Sequence, residues 1–264
     1  MRILDYTLHR QGLALPEIPP PERVALRDGQ LVFQDLRLSR LDAQGDVLWQ
    51  LHLPARPRRL HRQGNRAMLL TRTDEYHSWG YLGPALLLDL ESGNILAELR
   101  GERGLALPDQ RFLLGLEGYD CFDTWLYDAQ GSQLQQWRSY GHYFADPDGT
   151  IRVCECDRAS PSAARIVRLH LDGRIERGPA LRDGQIPRPV ELPDGDLILL
   201  DEGYLRRVDR SLQHDYSLHL QPFIAWSAVS QSALWIEDGH LQVASIARGV
   251  DPEQHQVHHW TIQL

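Results

Sequence analysis

Residues 41–51 read LDAQGDVLWQL, and the stretch returns with changes as LDLESGNILAEL from Leu88, YDAQGSQLQQW from Tyr127 and LHLDGRI from Leu169. Each copy sets an Asp or His after a leucine or tyrosine, then a polar turn containing glycine, then a β-rich run. Glycine accepts the positive φ of a tight turn and aspartate hydrogen-bonds the backbone that follows it, so the motif is a hairpin between two short strands. Aligned on Asp42, Asp89, Asp128, His170 and the weaker Asp209, successive copies are 47, 39, 42 and 39 residues apart. A period of about forty residues means stacked supersecondary units.

A second series runs out of phase with the first: DGQLVF from Asp28, GNRAMLL from Gly64, DQRFLL from Asp109, DGTIRV from Asp148, DGDLIL from Asp194 and QSALWI from Gln231. Six units result, with no 3.6-residue periodicity of useful length between their β-rich runs. Four short antiparallel strands per unit make the blade of a β-propeller. In the unit after Pro57 the predicted strands, A to D, are RRLHRQ, AMLLTRT, ALLLDL and NILAELR, and QSALWI is assigned to a B strand by its place in the second series. The expectation is an all-β, six-bladed propeller of four-stranded antiparallel blades, one domain over residues 1–264, with the termini sharing the last blade to close the ring. Seven blades is the alternative, if the N-terminal RILDYTL piece builds more than one strand.

The LDxxxGxxLW pattern, present as LDAQGDVLW and LDLESGNIL, resembles the blade repeat of the quinoprotein-type (PQQ-like) and related WD40-like propellers. Over most of the chain the resemblance implies a fold and no catalytic residue. Quinoprotein chemistry is not implied, because the adjacent cysteine pair of those enzymes is replaced by the spaced CEC of Cys154 to Cys156.

Composition narrows the chemistry. The chain is 42% hydrophobic and 24% charged, an ordinary globular balance. All 28 basic residues are arginine, a bias expected of a GC-rich bacterial genome. Schiff-base catalysis, a Walker lysine, a kinase strand lysine and a Ser-Lys dyad all need an ammonium group that this chain lacks. A formal net charge of −8 disfavours nucleic acid or an anionic membrane as partner and favours a basic protein. No apolar run of signal-peptide or membrane-spanning length is present, and Cys121, Cys154 and Cys156 are an odd, sparse set. The expected location is the cytoplasm, with reduced thiols.

Candidate binding residues gather in the predicted B–C loops, where every blade contributes an acid: Asp35, Asp74, Glu117, Glu155, Asp201 and Glu237 with Asp238 among them. Two loops are longer and interleave rings with charges, TDEYHSWGYLGP from Thr73 and EGYDCFDTW from Glu117. They supply Asp74, Glu75, Tyr76 and Trp79, then Tyr119, Asp120 and Asp123, and the DEGY turn adds Asp201, Glu202 and Tyr204. Trp and Tyr on loops are enriched among binding hot spots, whereas Trp125 is expected to begin a C strand and pack between blades.

Other candidates carry less. Cys154 and Cys156 share one strand face but lack a second ligand pair, His255, His258 and His259 lack a carboxylate at ligand spacing, and His77 has no GxSxG elbow to serve. No metal or cofactor is expected. An acidic, leaderless propeller without a catalytic signature is similar in profile to the cytoplasmic immunity proteins that neutralise bacterial toxins, many of them basic nucleases. The alternative is a propeller hydrolase or lactonase holding an axial calcium through Glu, Asp and Asn. Asn65 and Asn94, the only asparagines, fall at predicted hairpin turns instead.

Overall fold

The computed structural model describes residues 1–9, 20–77, 80–118, 121–155, 164–170, 172, 174–182, 186–201, 203–220, 232–247 and 256–264. Among these, every regular element is a β-strand, and none is a helix able to cross a membrane. The chain forms two compact units, Ile18–Ile151, and Met1–Glu17 with Arg152–Leu264.

The first unit holds three antiparallel sheets. These are β2 (Arg23–Leu26), β3 (Gly29–Gln34), β4 (Arg37–Asp42) and β5 (Val47–His52); β6 (Arg56–Gln63), β7 (Arg66–His77), β8 (Gly80–Asp89) and β9 (Ile95–Leu99); and β10 (Arg103–Ala106), β11 (Phe112–Gly118), β12 (Cys121–Tyr127) and β13 (Gln133–Ala145). β13 serves twice: residues 133–139 pair with β12, and the sheet order runs on through β14 (Ile151–Glu155), β15 (Arg165–Leu169) and β16 (Ile175–Ala180). The second unit adds β17 (Val190–Glu191), β18 (Leu197–Asp201), β19 (Tyr204–Val208) and β20 (Asp215–His219). Its terminal sheet has the order β1 (Arg2–His9), β23 (Gln256–Gln263), β22 (His240–Ala247), β21 (Ser232–Glu237). Counted with β13 in two sets, these are six four-stranded antiparallel sheets. The N-terminal strand is thus the outer strand of the last sheet, paired from Arg2↔Gln263 to His9↔Val257.

Inner strands are buried on both faces because sheets stack on both sides of them. Ala67 to Leu70 on β7 and Ala85 to Leu88 on β8 are all buried, although successive side chains point to opposite faces. Leu69, Leu86 and Leu88 meet Leu31 and Leu38 of the preceding sheet, while Met68, Leu70 and Leu87 meet Phe112 and Leu114 of the next. In the other unit Ile198, Leu200 and Leu205 pack against Val243, Trp260 and Ile262 of the terminal sheet. These two-sided strands read in sequence as continuous apolar runs rather than as alternation.

The opening repeat now has a structural role. In the copies that carry the Asp, one carboxylate oxygen accepts two backbone amides: Asp42 from Gln44 and Asp46 at 2.9 and 2.8 Å, Asp128 from Gln130 and Ser132 at 2.9 and 2.8 Å, Asp209 from Gln213 and His214 at 2.9 and 2.8 Å. Asp89 does the same for Glu91 and Ser92. At the Asp89, Asp128 and Asp209 turns an arginine from the preceding sheet donates to the carbonyl of the residue after the Asp. Arg40 reaches Leu90 O at 2.7 Å, where the Trp49 indole also donates at 3.0 Å; Arg66 reaches Ala129 O at 3.2 Å, and Arg168 reaches Arg210 O. Arg66 and Arg168 also pair with Asp89 and Glu176, a forked use that suits the several donors of a guanidinium.

Partial burial works against ionisation of Asp209, but hydrogen bonds from Ser211, His214 and Gln213 outweigh it and hold the carboxyl pKa at about 2. Asp89 and Asp128 are held below the ordinary carboxylate value by the same balance. With folded pKa values depressed, the unfolded chain binds more protons, so this stabilisation is complete above a pH of about 4 and is lost as pH falls toward 2. Asp209→Ala should therefore cost about 1 kcal/mol at neutral pH, by analogy with lost caps, and less near pH 2. Urea unfolding at the two pH values measures this.

One strand assignment from the sequence is corrected. QSALWI is not a B strand: its described part, β21, is the A strand of its sheet, with β22 as B. Asp238 and Gly239 both take positive φ, 49° and 76°, in the two-residue turn joining them. Glu237 and Asp238 therefore belong to an A–B turn, not to a B–C loop.

Candidate functional site

The described residues of the longest predicted loop are strand. β7 and β8 keep pairing to His77↔Gly80, whereas β6 leaves them at Arg56↔Arg72 and β9 at Ala85↔Leu99. Residues 73–77 and 80–84 thus form a two-stranded ribbon with no third strand among the described residues. Its base is rigid: Thr71 is buried and donates to Pro84 O at 2.6 Å, and a Cβ on Gly83 would lie 2.3 Å from Thr71 Oγ1.

The register is irregular between Arg72 and His77, which frees Asp74, Glu75 and Tyr76 from the ladder, and Thr73 Oγ1 donates to Glu75 O at 2.8 Å. Tyr76 is 73% exposed, yet it is held edge-on against Tyr81 with centroids 5.6 Å apart, and the Arg72 guanidinium lies 5.1 Å from the Tyr81 centroid. Asp74 pairs with Arg56 at 3.3 Å, both largely exposed, so this bridge offsets local charge more than it stabilises. Trp79 lies outside the described residues.

In the third sheet β11 and β12 likewise pair to their ends, at Gly118↔Cys121. Asp123 faces Arg138 at 3.9 Å, and Tyr119 and Asp120 lie outside the described residues. Trp125 packs between sheets, against the cluster containing Phe112 and Leu114.

The DEGY turn belongs to the other unit and departs from expectation. Asp201 is fully buried: it accepts the Arg182 amide with both oxygens, at 2.8 and 3.0 Å, and pairs with Arg206 at 2.6 Å. It organises the interior and is not available for a partner. Tyr204 is half-buried between the Arg182 guanidinium, 4.3 Å from its centroid, and the His219 ring at 4.8 Å. Glu202 lies outside the described residues.

The remaining candidates resolve by strand geometry. His258 and His259 point to opposite faces: Tyr6 Oη bonds His258 Nδ1 at 2.8 Å, while His259 lies beside His9 and Trp235. Burial lowers the pKa of both imidazoles. His255 and Cys156 lie outside the described residues, as does the His77 side chain. Burial, reinforced by Asp201, pushes the Cys154 thiol up to about 12, so it is no thiolate nucleophile at neutral pH. Asn65 and Asn94 sit in the turns predicted for them, Asn65 within 3.5 Å of Glu91. Arg72 and His219 were missed from sequence; with 73–77 and 80–84 as strand, the Arg72↔Leu82 pairing places Arg72 beside Tyr81.

Sheets of this order and hand-over define the class as a β-propeller with six four-stranded blades. No family model matches the sequence, and no curated protein matches it. Among solved structures the chain is similar to KlHsv2 carrying a Gly-Ser linker in place of loop 6CD, at 11% identity and TM-score 0.51 over 89% of this chain and 83% of that one. It is also similar to the Pan2 WD40 domain of Neurospora crassa, at 10% identity and TM-score 0.45 over 92% and 74% of the two chains. Regucalcin from Agrobacterium tumefaciens, a calcium-binding protein, matches at 15% identity and TM-score 0.43 over 95% and 93%.

Proposed function

We propose that this chain is a non-catalytic binding module for a protein partner, which seats on the β7–β8 ribbon with Tyr76 as central anchor. The observation that carries this is a ring 73% exposed yet held by Tyr81 on a ribbon with a rigid base. Such a ring offers large contact area at little cost in lost side-chain freedom. Trp79, Tyr119 and Asp120 remain candidates on sequence alone, and Asp201 is excluded by burial.

The net charge of −8, with Glu75 and Asp123 near the rings in sequence, supports a basic partner steered by charge and held by aromatics. In its finer form the module is a cytoplasmic immunity protein that covers the basic substrate groove of a cognate toxin. No described geometry favours the hydrolase alternative, since Asn65 and Asn94 are engaged in turns.

Replacing Tyr76 with a photo-crosslinking residue in the producing cell tests the proposal. One protein of basic isoelectric point should be captured from position 76 and not from position 216, where Tyr216 is comparably exposed at 61%. Capture of nothing, or of the same products from both positions, removes the ribbon as the site. An acidic partner removes the steering and the toxin.

A further inference from the structure

The terminal sheet carries a feature that partner binding does not use. His9 on β1 and His259 on β23 share one face, because Thr7 stands opposite His259 and His9 lies two residues further along. Their ring centroids are 5.7 Å apart, and the Nε2 atom of each is buried without a hydrogen-bond partner. Buried imidazole nitrogens are ordinarily satisfied, so two unpartnered Nε2 atoms on neighbouring rings call for a ligand. Ala244, small and buried, is the β22 residue opposite His259. Trp235 stacks on His259 at 5.7 Å and 4°, fixing its plane, and Trp235 in turn donates to Glu237 at 3.2 Å.

We propose that His9 and His259 form a two-histidine site for a borderline divalent transition metal of the Zn²⁺ class, completed by water, that ties the first strand to the last. Neutral imidazole nitrogens suit Zn²⁺, Ni²⁺ and Cu²⁺, whereas Ca²⁺ and Mg²⁺ take oxygen ligands. Because β1 reaches its sheet from the opposite end of the chain, a metal across β1 and β23 would close the longest loop in the molecule and stabilise the folded state by mass action. This rests on the terminal sheet alone and is independent of the ribbon.

The test uses the full chain, stripped with chelator and titrated with Zn²⁺ by calorimetry. One equivalent should bind, and His9→Gln and His259→Gln should each weaken binding at least about tenfold, while His52→Gln, at an exposed position, leaves it unchanged. Absence of binding to the wild-type chain overturns the proposal, as does affinity undiminished in both variants. Substoichiometric Cu²⁺ gives a readout that needs no variant to fold: amide resonances around residues 9 and 259 should broaden first. Broadening centred on another histidine overturns the proposal.

Discussion

Asp201→Ala is expected to destabilise the protein by about 3 kcal/mol, the scale for removing one partner from a buried ion pair. Asp201 is fully buried, and the loss would leave the Arg182 amide without its carboxylate acceptor and Arg206, itself largely buried, with Asp215 as its remaining acid. Burial works against the charge on Arg206, and the two carboxylates together outweigh it. Asp201→Asn keeps an acceptor for the amide but not the charge, so it should recover part of the loss. Denaturant midpoints at neutral pH order the three proteins; a wild-type midpoint for the alanine variant would mean that Asp201 is solvated after all.

Gly115→Ala should cost about 2 to 3 kcal/mol by overpacking. A Cβ at this position would lie 1.9 Å from Tyr143 Oη and 3.0 Å from its Cζ. The ring cannot simply withdraw, because its hydroxyl bonds Thr124 Oγ1 at 2.7 Å and Thr124 bonds Ser139 at 2.9 Å inside the third sheet. Adding Tyr143→Phe removes the clashing atom and should restore part of the stability lost to the alanine, a coupling that a double-mutant cycle measures directly. Additive losses would place the strain elsewhere.

The fold was legible because its information is local and repeated. Asp42, Asp89 and Asp128 each fix a turn with their own following amides, and such contacts lie within a few residues of one another. What those turns do for one another was not legible. Arg40 and Leu90, or Arg66 and Ala129, meet across sheets, and nothing in a single sequence marks which arginine serves which carbonyl. The absence of lysine was visible at once, whereas its structural counterpart, forked guanidinium contacts between sheets, needed coordinates.

Where the candidate residues lie was legible in part, for equally physical reasons. Thr73 to Pro84 contains Gly80, Gly83 and Pro84, which signal a loop, but the cross-strand pairs and the Thr71 hydroxyl carry the strands through them. Tyr76 was identified by residue type and is exposed, as a partner anchor must be. Asp201 was selected by the same rule and is buried, since an acid at a strand end looks alike in sequence whether it meets water or an arginine five residues on. His259 was grouped with His258 by adjacency, although strand alternation sends neighbours to opposite faces and pairs it with His9 instead.

The most direct measurement is the dissociation rate of the partner captured from position 76, compared between the wild-type chain and a Tyr76→Ser, Tyr81→Ser variant of unchanged melting temperature. Loss of a hot-spot ring is worth about 2 kcal/mol, so dissociation should be about thirtyfold faster, with the association rate little altered. An unchanged dissociation rate, with binding lost instead in folded Asp42→Ala or Asp128→Ala proteins, would contradict the account and move the contact to the LDxxG turns.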